Sequence, residues 1–188
     1  MDKKAVYEVI DSKASEFAAL SDAIWDYAEL AFTEHQSAEA LCRQLEKEGF
    51  AVTRGVAGIE TAFTAGYGSG KPVIGILGEF DALSGLSQKA GCAVREPLCP
   101  GAAGHGCGHN MFGVGSIAAA VGVKKYLEDT GHSGTVVYFG TPGEEGGSGK
   151  AFMAREGVFD ELDAAVAWHP SDLNAVMTQR KAGKKTVL

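Results

Sequence analysis

The spacing of apolar residues predicts two helices at the start of the chain. From residue 5 to residue 32, apolar side chains such as Phe17 and Ile24 return every three or four positions, which is the period of one helix face. The same period occurs over residues 36–48, and Gly49 follows, a residue type that commonly ends helices. We therefore expect one helix over 5–32 and another over 36–48.

The pattern then changes to short runs that predict strands. These runs lie at 50–56, 59–68, 72–80, 134–140 and 164–168. The last three are almost continuously apolar, which is typical of strands that are buried on both faces of a sheet.

Helical segments separate several of these strands. Residues 109–128 predict a helix whose early part is rich in small residues, and a short helix is expected over about 149–156. Residues 81–108 are irregular and rich in Gly, Pro and Cys. Buried strands that alternate with helices indicate an α/β fold. We expect three layers, with a mainly parallel sheet and helices on both of its faces.

Polar residues that could bind a ligand or take part in catalysis lie where the predicted strands end. Asp81 follows one strand, Glu144 and Glu145 follow the next, and His169 closes the last, while the segment 104–110 ("GHGCGHN") opens a helix. In open α/β sheets, ligands bind beyond the carboxyl ends of the strands. These segments are therefore expected to converge at one edge of the sheet.

Cys107 and His109 are the first candidate metal ligands. In the middle of a helix, a spacing of two would place them about 200° apart, too far to share an ion. At a helix N-terminus with glycine neighbours they can share one, and that position favours the thiolate. A buried cysteine beside a capping histidine is the alternative. We expect His105, in the same segment, to support the site rather than bind metal.

Glu144 and Glu145 are adjacent, and adjacent side chains in an extended chain point in opposite directions. One can bind a metal while the other faces substrate or water. Two carboxylates in a solvated loop are the simpler interpretation of this pair alone, and His169 alone at a strand end is more often a core residue. Asp81 alone is equally compatible with a turn or a helix cap.

Taken together, Cys107, His109, Glu145 and His169 make a set of N, S and O ligands suited to zinc or a similar divalent ion. Glu144 remains as a carboxylate beside the metal. A metal lowers the pKa of water, and such a carboxylate can take the proton. The set therefore indicates metal-assisted hydrolysis.

Charge and composition argue against several classes of protein: nucleic-acid-binding, secreted and membrane proteins. The 188 residues carry a formal net charge of −7, which argues against a nucleic-acid partner. The N-terminus lacks the apolar core of a signal peptide, and no run approaches the ~18 apolar residues of a membrane helix. We expect a cytoplasmic protein without a membrane partner. One basic cluster is predicted to be a solvated turn near the C-terminus: Arg180, Lys181, Lys184 and Lys185.

Four motifs carry a resemblance to a known family: "GEFDALSGLSQ", "GHGCGHN", "GTPGEEGGSGKAFM" and "AVAWHP". Their order and spacing resemble the dizinc aminoacylase/carboxypeptidase family of amidohydrolases, in particular its branch with a metal-bridging cysteine. The resemblance implies two divalent ions, zinc or manganese, that Cys107 would bridge. It implies the following further roles: His109, Glu145 and His169 as ligands, Glu144 as general acid/base, and Asp81 as a residue that orients a ligand.

The resemblance also implies a reaction and its partners. The reaction would be hydrolysis of an amide that joins an acyl or aminobenzoyl group to an amino acid. The substrate would be small, and the protein would form a homo-oligomer or an oligomer with a related subunit. One departure concerns Glu79, since "EFDAL" stands where other branches have a ligating histidine before the aspartate.

Members of the family are about twice as long as this chain. The resemblance therefore implies that residues 1–188 are the N-terminal part of the catalytic domain. An insert domain for dimerisation and a returning segment with a final histidine ligand would be absent. On this hypothesis, the chain alone shows little hydrolase activity and exposes sheet edges through which it self-associates.

Two other classes of function stay open on the residues. The first is a metal-binding module without catalysis, although Glu144 would then have no role and structural zinc sites favour closed Cys/His sets. The second is a thiol-redox protein that uses Cys107 with Cys99 or Cys92. The sequence contains no C-x-x-C motif, which weakens that interpretation.

Overall fold

The first predicted helix is two helices in the computed structural model, which describes residues 3–173. Helix α1 spans Lys3–Ser12 and α2 spans Ala14–Tyr27, with Lys13 between them at φ −107° and ψ 3°. Lys13 reaches Glu48 at 2.9 Å. On either side of this break, both helices pack against a later helix, His109–Thr130.

The remaining elements follow the predicted order closely. Most of their boundaries differ from the predictions by a few residues, and the second strand begins at Phe63 because residues 59–62 form a turn instead of strand. The elements are α3 His35–Lys47, β1 Ala51–Arg54, the 3₁₀ turn Val56–Gly58, β2 Phe63–Ser69, β3 Val73–Gly78, α4 His109–Thr130, β4 Gly134–Gly140, α5 Glu144–Gly147, α6 Gly149–Arg155 and β5 Ala164–Val166.

The five strands form one sheet in the order β1-β2-β4-β3-β5. β2 is antiparallel to both β1 and β4, whereas β3 is parallel to both β4 and β5. Four strands thus run in one direction and β2 runs against them. The predicted α/β fold is confirmed, and the sheet is mixed in its pairings because β1 and β2 form a hairpin at one end.

Helices cover both faces of the sheet. On one face, Val136 and Tyr138 of β4 share a core with α2, α3 and α4. Helix α1 joins this layer, since Val6 and Ile10 lie against Gly122 of α4, where a Cβ would meet Val6 at 3.1 Å. On the other face, Phe139 packs with Met153 of α6 and with Leu162. The alternation of Val136, Phe139 and their neighbours between the two cores produces the predicted three layers.

The prediction that 164–168 is a buried strand is wrong. β5 has three residues and lies at the edge of the sheet, with β3 as its partner among residues 3–173. Val166 is 44% exposed and Trp168 is 40% exposed. An apolar run is compatible with a central or an edge strand, and the neighbours that decide this are distant in sequence.

The strand ends explain where the polar residues gather. Gly78 of β3 pairs with Gly140 of β4, so the two parallel strands end side by side. The segments that begin at Glu79 and Thr141 therefore leave the sheet together. The segment before α4 is irregular, as predicted, and is tied back by a bridge between Leu83 and Gly104.

Two sequence predictions concern features outside this core. The basic cluster Arg180, Lys181, Lys184 and Lys185 lies outside the described residues. Within residues 3–173, none of the helices combines the length and the apolar character needed to cross a bilayer.

Candidate metal centre

His109 is the central residue of the site. It is the first residue of α4 and has no solvent exposure. Its Nδ1 atom lies 3.0 Å from Asp81 Oδ1 and 3.1 Å from the Asp81 carbonyl oxygen. Both of these oxygens are acceptors, so Nδ1 carries a proton. The Nε2 atom is therefore the nitrogen left to bind a metal.

The Nε2 atom of His109 faces a carboxylate. It lies 2.9 Å from Glu79 Oε2, but the contact lacks hydrogen-bond alignment, and Nε2 has no hydrogen-bond partner among residues 3–173. Burial lowers the pKa of His109, yet the contacts with Asp81 and Glu79 outweigh it and raise that pKa to about 10. In the metal-free protein, the two carboxylates favour the protonated ring, as they would favour a metal cation.

Three of the predicted ligands come together. Ligand atoms of Cys107, His109 and His169 all lie within 4.8 Å of one another. Cys107 Sγ is 3.4 Å from His169 Nε2, and the two imidazole rings meet edge to face with centroids 5.5 Å apart. Gly108 has φ +75°, a left-handed conformation that lets Cys107 and His109 face the same point. The loop geometry that the sequence required is present.

The Cys107 thiol differs from the prediction in its ionisation. A helix N-terminus was expected to favour the thiolate, but the pKa of Cys107 is raised to about 11. Burial is the largest cause, followed by a hydrogen bond with Glu145 and by the charges of Glu144 and Glu79. Only a cation at this position would favour the thiolate over the thiol.

Glu144 and Glu145 face different partners, as their adjacency predicted. They lie in the single turn α5, where Glu145 leaves helical geometry at φ −71° and ψ 83°. Glu144 clusters with Glu79 and His109, with candidate ligand atoms within 4.8 Å. Glu145 contacts the Cys107 thiol but belongs to neither of the two three-residue clusters that the described residues form.

Asp81 links His109, at the start of α4, to the turn that holds Glu144 and Glu145. One oxygen of its carboxylate accepts a hydrogen bond from His109 Nδ1 at 3.0 Å, and the other accepts one from the Glu145 backbone N–H at 2.8 Å. Burial raises the pKa of Asp81, but these two bonds lower it below the ordinary value. An ionised Asp81 fixes both the tautomer of His109 and the start of the Glu145 turn.

Glu79 and Lys150 are site residues to which the sequence assigned no role. Glu79 is 6% exposed, and one of its oxygens forms an ion pair with Lys150 Nζ. The signal for Glu79 was its position two residues before Asp81, which places both side chains on one side of an extended segment. Lys150 gave no signal beyond its place in "GEEGGSGK".

Glu34 is a further residue that the sequence did not single out. It precedes α3 and is fully buried. Its Oε1 atom accepts a hydrogen bond from the Gly143 N–H at 2.8 Å, and Oε2 accepts one from the Thr61 hydroxyl at 3.0 Å. Burial raises the pKa of Glu34 despite these hydrogen bonds. A glutamate before an amphipathic helix is usually solvated, so its pattern gave no signal of burial.

His105 stands apart from both clusters. Its Nε2 atom contacts the Ile24 carbonyl oxygen at 2.9 Å, and its ring lies 6.3 Å from the Trp25 ring. Burial lowers its pKa. His105 therefore anchors the 104–110 segment to the end of α2.

The donor set fits a divalent cation. It offers the imidazoles of His109 and His169, the thiol of Cys107 and the carboxylates of Glu79, Glu144 and Glu145. A buried imidazole nitrogen without a hydrogen-bond partner and a thiol surrounded by negative charge are both relieved when a cation binds. Mixed N, S and O ligands suit zinc and related first-row metals.

These features define a candidate metal centre at the carboxyl ends of an α/β sheet, and comparison with known proteins gives the family of the chain. Residues 75–180 match the model of peptidase family M20/M25/M40. This match covers more than half of the chain, and the protein belongs to that family.

Two curated relatives are similar over most of the chain. One of the subunits of the p-aminobenzoyl-glutamate hydrolase from Escherichia coli (strain K12) is 53% identical over 173 residues, which cover 92% of this chain and 36% of that protein. The Xaa-Arg dipeptidase of Mus musculus is 35% identical over 185 residues, with 92% of this chain and 39% of that protein covered. The chain thus spans less than two fifths of the length of these relatives.

A solved structure supports the fold. The YXEP protein of Bacillus subtilis, described as a dinuclear metal-binding peptidase of the M20 family, superposes with a TM-score of 0.71 at 21% identity. The superposition covers 86% of this chain and 44% of that protein. It confirms the α/β fold.

Proposed function

We propose that this protein is a metal-dependent amidohydrolase that cleaves the amide between an acyl or aminobenzoyl group and an amino acid, as in aminobenzoyl-glutamate. The observation that carries the proposal is the convergence of Cys107, His109 and His169, with ligand atoms within 4.8 Å at the carboxyl ends of the strands. The Glu79–His109–Glu144 cluster lies directly beside it and shares His109.

We assign the metal-holding role to Cys107, His109, Glu145 and His169, which would hold the two divalent ions. The mixed ligand set suits either zinc or manganese. Divalent ions at such a site lower the pKa of water and polarise a carbonyl group. His109 is held for this role through its Nδ1 atom, which leaves Nε2 directed at the centre.

Glu144 is the residue that we assign to proton transfer. Its carboxylate is exposed, and it lies beside His109 and Glu79, so it is open to the solvent from which water and substrate arrive. Its role would be to take a proton from water and to return it to the leaving amine. Asp81 does not meet the solvent and acts by holding His109 and the Glu145 turn.

The substrate class rests on similarity. The relative at 53% identity belongs by name to a p-aminobenzoyl-glutamate hydrolase, and the mouse relative is by name a dipeptidase. Both names describe hydrolysis of an amide next to an amino acid. The first relative is one of the subunits of its enzyme, which supports assembly of this chain with a related protein or with a second copy of itself.

Metal binding by a Cys107→Ser variant tests the proposal. The variant loses the thiolate ligand, so we expect its affinity for zinc or manganese to fall by more than the ~10–100-fold typical of residues that only orient a ligand. Metal content after dialysis, with calorimetric titration, measures the effect. Cys99→Ser is the matched control, since Cys99 is exposed and lies in neither cluster.

The outcomes separate the functional classes. Metal loss in Cys107→Ser with retention in Cys99→Ser supports the proposed centre. Equal metal binding in wild type and Cys107→Ser contradicts it and favours the thiol-redox alternative.

A further inference from the structure

The segment between α2 and α3 lies under both carboxylate-bearing segments of the proposed centre. At one end, the Ala82 N–H donates to the Glu29 carbonyl oxygen at 2.8 Å, next to Asp81. At the other end, the Glu34 carboxylate accepts a hydrogen bond from the N–H of Gly143, the residue directly before Glu144. We call residues 28–34 the support segment.

The contact between Glu34 and Gly143 is built into the interior. Glu34 has no solvent exposure, and Thr61, which binds its other oxygen, is 2% exposed. Burial of a carboxylate costs free energy unless its oxygens receive hydrogen bonds. Here both oxygens are occupied, one by Thr61 and the other by the backbone of the Glu144–Glu145 turn.

Phe32 makes a second contact with the same turn. Its ring lies so close to Gly143 and Gly147 that a Cβ at these positions would meet it at 2.9 Å and 2.5 Å. Phe32 itself adopts φ +63°, a conformation that is uncommon for a bulky residue. Strained backbone of this kind persists only where surrounding contacts hold it in place.

We propose that Glu34 is a positioning residue for the metal centre, which acts by fixing the Gly143 N–H and thereby the direction of the Glu144 and Glu145 side chains. Gly143 has φ +63° and begins the turn, so a rotation at this residue displaces both carboxylates. The inference rests on the proposed metal-binding function. It adds a residue that touches neither metal nor substrate.

The role needs a hydrogen-bond acceptor rather than a charge. A Glu34→Gln variant retains one carbonyl oxygen for the Gly143 N–H, while its amide can donate to the Thr61 hydroxyl. A Glu34→Met variant keeps the length of the side chain but leaves both donors unpaired. The two variants therefore separate positioning by a hydrogen bond from the mere filling of the space.

Glu29 offers a matched control in the same segment. Its carboxylate accepts hydrogen bonds from the Gln36 N–H, the Ser37 N–H and the Ser37 hydroxyl at 2.8–3.0 Å. It therefore holds the start of α3 as Glu34 holds the Gly143 turn. Glu29→Met removes a comparable set of bonds without touching the turn.

The experiment measures zinc affinity and thermal unfolding of the metal-free full chain for wild type and the three variants. We expect Glu34→Met to lower zinc affinity about tenfold, the lower end of the range for residues that hold ligands in place. Glu34→Gln should stay within about threefold of wild type, because it retains the acceptor. Glu29→Met should lower the unfolding temperature without changing zinc affinity.

Hydrogen exchange at the Gly143 amide supplies a readout independent of metal. Exchange at this amide should accelerate in Glu34→Met and stay slow in Glu34→Gln and Glu29→Met. If Glu34→Met does not fold, Phe32→Leu, which keeps an apolar side chain but loses the ring contact, should show the same loss of affinity.

The failures are distinguishable. Wild-type protein that binds no zinc overturns the proposed function and this inference with it. Zinc binding that is equal in wild type, Glu34→Met and Phe32→Leu overturns the inference alone. An equal loss of affinity in Glu34→Met and Glu29→Met also overturns it, because the support segment would then act only through general stability.

Discussion

The two ends of the "GHGCGHN" segment place buried histidines in opposite environments. His105 contacts a backbone carbonyl oxygen of α2, and burial lowers its pKa. His109, four residues later, lies between Asp81 and Glu79, which raise its pKa to about 10 against the effect of burial. Both side chains are almost fully buried, so burial does not distinguish them.

The difference lies in what the fold brings to each ring. His105 faces the end of a helix, where its Nε2 atom contacts one neutral acceptor and its buried Nδ1 atom has no hydrogen-bond partner among residues 3–173. His109 faces the carboxyl ends of two parallel strands, from which Glu79, Asp81 and the Glu144 turn leave the sheet. A cation is favoured beside His109, whereas His105 belongs to neither cluster of candidate ligands within residues 3–173. The role of each histidine follows from this topology rather than from the shared glycine-rich motif.

The largest expected effect separates the two histidines by metal binding. His109→Gln removes the shared ligand of both clusters, so zinc content should fall to the level of a chain without the site. His105→Gln should bind zinc within about threefold of wild type, since it changes an anchoring contact outside the clusters. Elemental analysis after dialysis measures both variants. Comparable zinc loss in the two variants would show that both histidines, or neither of them specifically, hold the metal.

A smaller effect is expected from Asp81→Asn, which tests whether the Asp81 carboxylate orients the His109 ring. The asparagine amide can place a donor where His109 Nδ1 needs an acceptor, so the tautomer is no longer fixed. Zinc affinity should fall ~10–100-fold, the range for residues that orient a metal ligand. Calorimetric titration measures this, and unchanged affinity would show that the Asp81–His109 bond does not direct the ring.

The smallest effect concerns the pH dependence of stability in the metal-free protein. The pKa of His109 is raised to about 10, so its contribution is complete below the unfolded pKa of ~6.5 and is lost as pH rises through about 10. The pKa of His105 is lowered, so its contribution is present above ~6.5 and is lost as pH falls below that value.

Unfolding temperatures of wild type, His109→Gln and His105→Gln across ~pH 5 to 10.5 give the test. The deficit of His109→Gln should be greatest at the acidic end and should shrink toward the alkaline end. The deficit of His105→Gln should shrink toward the acidic end. Profiles that run in the same direction would mean that the two environments are alike.

The sequence was informative where local pattern determines the structure. The 134–140 strand has the predicted limits, because the apolar run indicates a buried strand and the glycines mark its two ends. Helix α4 begins at His109 as predicted. Cys107, His109 and His169 were found by their places at strand ends and a helix start, and the parallel β3, β4 and β5 bring those ends together.

The failures have a common physical cause, which is dependence on distant neighbours. The exposure of Val166 depends on its position at the sheet edge, and the raised pKa of Cys107 depends on its burial and on three carboxylates from two other segments. Glu34 is buried because Gly143 and Thr61, far along the chain, supply its hydrogen bonds. A local pattern carries no information about such partners.

Anomalous diffraction from crystals grown with zinc or manganese, together with elemental analysis, tests whether Cys107, His109 and His169 bind metal together. We predict an anomalous peak within bonding distance of Cys107 Sγ, His109 Nε2 and His169 Nε2, and an elemental analysis that finds the same metal in the protein. Well-ordered crystals that contain the metal elsewhere, with no peak between these three atoms, would contradict it.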